Sequence, residues 1–595
     1  MKIRNKIMKK MFSTALIAVT TAVMTGCGVS VGELEEAPKE VEEESIVFSD
    51  KTLETRLIDN KVLYEDDDET SVVTMYLTVT KGNSSESTDH TWSEVNDHSV
   101  FYYDELGIDR YGVNGLLQVG DENGPVEGEL GYERQTPNCI VTIRGQTSSR
   151  AKQKNYKIKI KDSSGDWRGQ TVINLNKHQS DGLRFRNKLM YDLIKEVDDL
   201  VAMRTQFVHL YVKDLTEGKD AEFEDYGLYT QVEQANKKFL KAHGLDKEGH
   251  LYKLNNIFEF YKYDEIRMVS DLGYDAMAFR YYLKTKGDTN NRKLINMLKD
   301  VNDSTLSGTE VLERWFDEDN VATWLGFNIL LGNIDTQSRN MLLYSPLNVN
   351  KWYLINWDCD GALGLEEKEI HGINLENSWE TGVSNYWGNM LFRKLIMDDT
   401  FRETLDKKIN ELRRQITPEK IREMAEGYAE VVKPYLYTDG SKDEKNAPLD
   451  GKEYDRVINA IPLELEKNYE SYKKSIEKPM PFYIGVPTNV ENGINFVWEA
   501  SYDIQSDDVY YTVTLADNYE LKDPLLVKND IFLNICTYDS PLPEGQYFLN
   551  VKARDSDGNE QYAFDYYISP DSSRHYGTLS FYVDKEGNIS LVEGE

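Results

Sequence analysis

The sequence predicts an α+β protein with a two-lobed body over residues 46–480 and an all-β sandwich over residues 481–595. Three patterns carry this. Runs such as 71–80 (SVVTMYLTVT) and 140–143 are short, apolar or β-branched, and separated by polar turns, as strands are. In the back half of the body the apolar period lengthens to that of helices, at 293–298, 311–316, 321–331, 391–396 and 420–431. Strands first and helices later give segregated layers rather than an alternating parallel sheet. Beyond Pro481 the two-residue alternation returns at 495–498, 509–515, 547–553 and 578–583, at the spacing of a sandwich. In that tail Tyr547, Leu549, Val551 and Ala553 are expected to face inward, and Phe548, Asn550, Lys552 and Arg554 outward. The polar stretch 437–452 reads as an excursion or loop.

The most informative stretch is 330–364, LLGNIDTQSRNMLLYSPLNVNKWYLINWDCDGALG. Residues 321–331 are apolar almost all round, so they read as a buried helix, and the polar run 332–340 must then be a loop. Residues 341–344 and 352–356 are apolar and aromatic, with a Pro346-containing turn between them, which reads as a hairpin. Asp335 and Asn340 lie five apart before that hairpin, and Asp358 and Asp360 follow it. Protein kinases use this order: a loop aspartate for the hydroxyl proton, then an asparagine and a later aspartate for magnesium. The competing reading makes these residues ordinary turn caps.

Ordered motifs extend the likeness. Residues 143–160 read IRGQTSSRAKQKNYKIKI, 183–193 read LRFRNKLMYDL, and 226–240 read YGLYTQVEQANKKFL. Leu251-Tyr252-Lys253, the Asp335 loop and the WDCD at 357–360 follow in turn. Over roughly 70–475 the chain resembles the spore-coat CotH kinases, atypical members of the protein-kinase-like fold. The first segment looks like that family's RGxSS turn and Lys-x-Tyr strand, the second like its Arg-Asn helix, and the third like its G-x-Y-x-x-x-E segment. The resemblance implies a magnesium- or manganese-dependent kinase that uses ATP and phosphorylates Ser or Thr of a surface or cell-wall protein.

Phosphoryl transfer asks a protein mainly for positioning and charge neutralisation. Asp335 would take the acceptor proton, and Asn340 and Asp358 would offer hard oxygens to the metal. Asp360 would bind a second ion or cap the following turn. Arg144 and Lys154 are the cations expected against phosphates. By the resemblance, Ser148 belongs to the turn that covers them and Glu233 is the family's acidic position. Lys157 and Lys159 alternate with apolar residues, which reads as a solvated strand face. Glu233 has a competing reading as a helix-face partner of Lys237 and Lys238.

Residues 354–361 (LINWDCDG) also look like the strand-D-x-D-G start of haloacid-dehalogenase phosphatases, whose first aspartate is a nucleophile. That motif opens a doubly wound domain. The segment after Asn389 is helical in pattern and rich in Glu, Lys and Arg, which opposes the phosphatase reading.

Residues 1–26 read as a lipoprotein signal peptide: five basic residues in the first ten, an apolar core, then Met24-Thr25-Gly26-Cys27. Cys27 is then lipidated, residues 27–45 form an acidic tether, and the protein sits on the outer face of the bacterial cell membrane. The net charge of −34 disfavours nucleic acid and anionic headgroups, so the lipid is the expected membrane attachment. The other cysteines, Cys139, Cys359 and Cys536, have no paired spacing, and the eight histidines form no ligand pattern. The tail, with Trp498 and G-x-Y-x-x-x-V-x-A from Gly545, looks like a fibronectin type III or immunoglobulin-like module. Two alternatives remain: a non-catalytic surface-binding or adhesion protein on a kinase-like scaffold, and a kinase acting from another donor or on a glycan.

Overall fold

Eight strands fill the first part of the chain: β1 (Val72–Thr80), β2 (Gly112–Asp121), β3 (Gly124–Pro125), β4 (Cys139–Arg144), β5 (Asn155–Ile160), β6 (Val172–Asn176), β7 (Thr205–Asp214) and β8 (Glu224–Glu233). The computed structural model describes residues 55–592 apart from 219, 374, 376 and 438–446. The expected signal peptide, Cys27 and tether lie outside these residues. The sheet order is β1-β7-β8-β6-β5-β4-β2-β3, and β1 also pairs with β2, so the sheet closes on itself. Closure removes the exposed edges that an open sheet would present. Only the β1–β7 pair is parallel. Alternation fills the inside: Met75 and Leu77 of β1, Leu117 of β2, Val141 and Ile143 of β4 and Ile158 of β5 share one core, which Trp92 and Val95 of the helix Trp92–Asp97 join.

A second, larger core lies between the later helices and a four-stranded antiparallel sheet, formed by β9 (His250–Leu254), β10 (Leu283–Thr285), β11 (Met341–Ser345) and β12 (Tyr353–Asn356) in the order β10-β9-β11-β12. The helix Glu318–Leu330 runs through it, every residue from Asn320 to Leu330 buried. Asp317 caps its start by accepting from the Asn320 amide at 2.8 Å. The Asn320 side chain then bonds Leu354 of β12 twice, accepting from its amide at 2.8 Å and donating to its carbonyl at 3.1 Å. Helix and hairpin are thereby locked in register. β11 and β12 pair as expected, Met341 opposite Asn356 and Tyr344 opposite Tyr353. Because this sheet is antiparallel, Asp358 does not follow the parallel strand of a doubly wound domain, which removes the phosphatase reading.

The C-terminal region is strand-rich. A three-stranded sheet (Thr488–Val490, Gly493–Val497, Ile535–Tyr538) and a six-stranded one built on Tyr510–Ala516, Gly545–Arg554 and Thr578–Val583 share a core around Trp498, Val513, Leu549, Val551 and Phe581. Phe548 departs from the expected outward position and is buried. Tyr519 and Tyr567 close over it edge-on, with ring centroids 6.2 and 4.8 Å away. The region is also sewn to the body. Trp379 Nε1 donates to the Phe564 carbonyl at 3.1 Å, and Glu380 accepts from Arg574 at 2.7 Å and from Tyr576 at 2.8 Å. Of the expected loop 437–452, residues 438–446 lie outside the described residues, and its last two residues begin a long helix, Gly451–Ile476, which Asp450 caps. Alternating charge hid that helix start.

Candidate active site

The loop after Glu318–Leu330 is held from beneath by asparagines. Asn328 Oδ1 accepts from Asn333 Nδ2 and from Asn356 Nδ2, each at 2.9 Å, and all three are buried. Asn385 Nδ2 donates to the Ile334 carbonyl at 3.0 Å and Asn389 Nδ2 to the Gln337 carbonyl at 2.7 Å. Gly332 opens the loop with φ +61°, and a Cβ there would lie 2.7 Å from Asn468, so both conformation and packing demand glycine.

This bed presents Asp335 with Asn340. Asn340 Nδ2 donates to Asp335 Oδ2 at 2.9 Å, and Arg339 Nε donates to Oδ1 at 2.7 Å. The carboxylate can only accept, so the Asn340 amide nitrogen must face it and leaves Oδ1 for another partner. Burial pushes the Asp335 carboxyl above its ordinary range. Arg339 opposes that shift, and Asp358 adds to it. The Gly361 Cα stands so close that a Cβ there would sit 3.9 Å from the Asp335 Cβ, which brings the 358–361 turn against the loop.

The helix Arg186–Ile194 fixes that turn. The Asp358 amide donates to Tyr191 Oη and the Cys359 amide to Asn187 Oδ1, both at 3.0 Å. Asp358 holds φ +58° and Asn340 φ +55°, a region in which side chains other than Asn and Asp are uncommon. Asp360 faces His178 at 3.5 Å, and burial together with Asp358 raises its carboxyl above the ordinary range. His178 is buried as well, an environment its sequence position did not reveal. Cys359 is enclosed between the acids, and burial keeps it a thiol.

Cations face Asp358 from both sheets. Arg144, at the end of β4, donates to Asn176 Oδ1, and burial lowers its pKa while Asp358 opposes the shift. Lys253 of β9 lies with Nζ 4.9 Å from the Trp357 ring centroid. Burial pulls it down to about 8 against the field of Asp358. In the sequence Lys253 stands out only as part of a motif; its alternation in a strand gives no sign of this role. Lys157 does alternate as expected, but its neighbours are cations: burial, Lys284, Arg110 and Arg144 all lower it.

Two expected phosphate residues have other partners. Lys154 Nζ donates to the Ser149 carbonyl at 2.7 Å, closing the short turn Thr147–Arg150. Ser148 Oγ accepts from Asn155 Nδ2 at 3.0 Å in the same turn. Glu233 is buried at the end of β8, not on an exposed helix face. It accepts from Arg204 at 2.5 Å and meets His243 Nε2 at 3.0 Å, while Lys237 pairs with Glu248. Burial alone would raise the Glu233 carboxyl; His243 and Arg204 hold it at about 2. Among the described residues, no three His, Cys, Asp or Glu side chains form a ready metal cluster. The hard oxygens that fit a divalent cation are instead Asp358 and the turned-out Oδ1 of Asn340.

A loop aspartate bonded to an asparagine five residues on, facing a second aspartate beneath paired cations, defines a kinase-like protein. The family model described as CotH kinase protein matches residues 141–478, and the chain belongs to that family. Among solved structures it is similar to the Helicobacter pylori proinflammatory kinase CtkA, at 12% identity over 54% of this chain and 94% of that one, TM-score 0.25. It is also similar to the twitchin kinase region of C. elegans, at 11% identity over 69% and 71%, TM-score 0.15. No curated protein matches.

Proposed function

We propose that this chain transfers the γ-phosphoryl group of ATP to a Ser or Thr hydroxyl of a surface protein. In this reading the closed sheet is the upper lobe, the helical body the lower, and the cleft between Arg144 of β4 and Lys253 of β9 the donor site. The observation that carries it is the Asn340–Asp335 hydrogen bond beside an Asp358 flanked by Arg144 and Lys253.

Asp335 orients the acceptor hydroxyl and takes its proton, and its raised pKa suits a base that must accept a hydroxyl proton. Asn340 and Asp358 would hold magnesium or manganese, which would supply charge neutralisation on the transferring phosphates. Arg144 and Lys253 take the charge that remains on the phosphate oxygens. Asp360 stands beside the metal ligands, where burial and Asp358 disfavour its charge and His178 opposes them. The lipid anchor on Cys27 places the reaction outside the cell membrane, and the fibronectin-like C-terminal region docks a surface or cell-wall partner.

The test is incubation of the purified protein with γ-labelled ATP, with and without magnesium or manganese, beside Asp335→Ala and Asp358→Ala. Metal-dependent label transfer lost in both variants is expected, with Asp335→Ala still binding nucleotide. Full activity in both variants would sink the site. Absence of transfer and of any nucleotide-induced stabilisation in the parent protein would favour a surface-binding role.

A further inference from the structure

The cationic lining continues past the residues that the donor triphosphate requires. Lys284 of β10 stands directly opposite Lys253 of β9. Opposed residues in an antiparallel pair share a face with Cβ atoms about 5 Å apart, and like charges there destabilise. Lys286 lies on the same side two residues on, its amide donating to the Leu251 carbonyl at 2.7 Å. Across the cleft Lys157 is paired with Thr142, which puts it on the Arg144 side of β4 and β5. The Arg110 guanidinium reaches the Ile143 carbonyl at 3.5 Å. The fields of these groups overlap, since Lys284, Lys157, Lys253 and Arg144, after burial, bring Lys286 down to about 7.

Among the described residues, none of these six cations is in an ion pair with a carboxylate, in a chain of net charge −34. Arg144 and Lys253, the two that feel Asp358, match the charge left on a metal-bound triphosphate. Lys157, Lys284, Lys286 and Arg110 are left over, the field of Asp104 reaching Arg110 and Lys284 without an ion pair. Their place in the sheet gives a direction. Asn340 leads into β11 and Asp358 follows β12, whereas Lys284 and Lys286 belong to the opposite edge, two strands or about 10 Å from β11. An acceptor enters beside Asp335, so the extra cations lie on the leaving-group side of an in-line transfer.

We propose that Lys157, Lys284, Lys286 and Arg110 form a second phosphate-binding site, continuous with the donor site, that takes phosphate groups beyond a triphosphate. The assignment of its direction rests on the kinase reading of Asp335 and Asp358; the site itself rests on the cations. A linear inorganic polyphosphate would lie along the strip with its terminal phosphoryl group at Asp358. Transfer would then break the terminal P–O–P bond, form a P–O bond to the acceptor oxygen, pass the hydroxyl proton to Asp335 and release a chain one phosphate shorter. A phosphate already carried by the acceptor would meet the same cations only with the acceptor entering from the β10 edge, the reverse of the direction that the kinase reading gives.

The test measures binding of inorganic polyphosphate, of a phosphorylated Ser peptide with magnesium-ATP, and of magnesium-ATP alone, to the purified protein and to Lys284→Ala/Lys286→Ala. Polyphosphate should bind the parent protein and weaken about tenfold or more in the variant, with magnesium-ATP affinity unchanged. Lys284→Arg/Lys286→Arg should restore it, which separates charge from folding. Loss confined to the phosphopeptide would assign the phosphates to the acceptor, which keeps the site and overturns its direction. No binding of either probe, or equal binding by parent and Ala variant, overturns the proposal. Asp358→Ala should lose magnesium-ATP yet keep polyphosphate, so the kinase reading can fail while the second site stands.

Discussion

The Asp358 amide donates a 3.0 Å hydrogen bond to the Tyr191 hydroxyl, and this bond ties the 357–360 turn to the helix Arg186–Ile194. It holds Asp358 at φ +58°, a conformation its own backbone does not favour. Tyr191→Phe should therefore act on the site from behind it. We expect a stability loss of about 1–3 kcal/mol from the unpaired amide, and a fall of about 10–100-fold in metal-dependent nucleotide affinity, as for a lost outer-shell partner. Titration of magnesium against nucleotide binding reads it. Unchanged affinity would mean that Asp358 does not depend on this bond.

The asparagine bed makes a different demand. Replacing Asn328 by Leu leaves the amides of Asn333 and Asn356 without their shared acceptor. Each buried orphan costs about 1–3 kcal/mol, and the loop carrying Asp335 loses its floor. The expected result is a lowered melting temperature with kcat falling more than nucleotide affinity, since Asp358 is held by another helix. Equal losses in both would place Asn328 in the general core only.

These relationships mark where the sequence was legible. The hairpin of β11 and β12, the apolar helix before it and the acids on either side follow from periodicity and turn chemistry, because each is set by residues close in the chain. The same holds for the strands of the C-terminal region. Tyr191, Asn187 and Lys253 act on the 357–360 turn from segments more than a hundred residues away, and no local pattern announces such a contact. Asn320 and Asn328 did leave a signal: two amides in a helix otherwise apolar all round must be satisfied within the core. Motif position points Lys154 and Glu233 toward the site, whereas the fold gives them other partners, the Ser149 carbonyl and the pair Arg204 and His243.

Glu233 gives a prediction in which pH separates structure from ligand binding. Its partners Arg204 and His243 are left charged by Glu233→Gln in a buried place, at a cost of about 3–5 kcal/mol. Burial opposes both charges, but the Glu233 carboxyl is held at about 2, below its usual 4.5, and His243 is raised above its usual 6.5 by Asp59 and Glu233. The Glu233 contribution is present above 4.5 and lost as pH falls toward 2. The His243 contribution is full below 6.5 and lost as pH rises through its folded value. The melting-temperature deficit of Glu233→Gln should thus be largest between about pH 4.5 and 6.5, with magnesium-ATP affinity of the folded variant near that of the parent. A selective loss of nucleotide binding would return Glu233 to the donor site.

The unpaired lysines make the empty protein less stable than it need be. Lys284 faces Lys253 across β9 and β10 with no ion pair to an acid among the described residues, although the field of Asp104 reaches Lys284 and that of Asp358 reaches Lys253. Removing it should relieve repulsion, so Lys284→Ala is expected to gain about 0.2–1 kcal/mol in the absence of anions. The sign of the pH dependence follows from the depressed values of its neighbours. Burial and the other cations hold Lys253 at about 8 and Lys286 at about 7, so both are charged and mutually repelled below those values and neutral well above them. The gain from Lys284→Ala should be largest near pH 6.5 and shrink toward pH 9, roughly as those two groups lose their protons. Added polyphosphate should reverse the order at the lower pH, because the parent protein then has the cation that the variant lacks. Denaturant melts at the two pH values, with and without polyphosphate, decide it: a variant less stable than the parent at low pH without anion would mean that Lys284 is a structural residue, held by contacts that its repulsion from Lys253 does not outweigh.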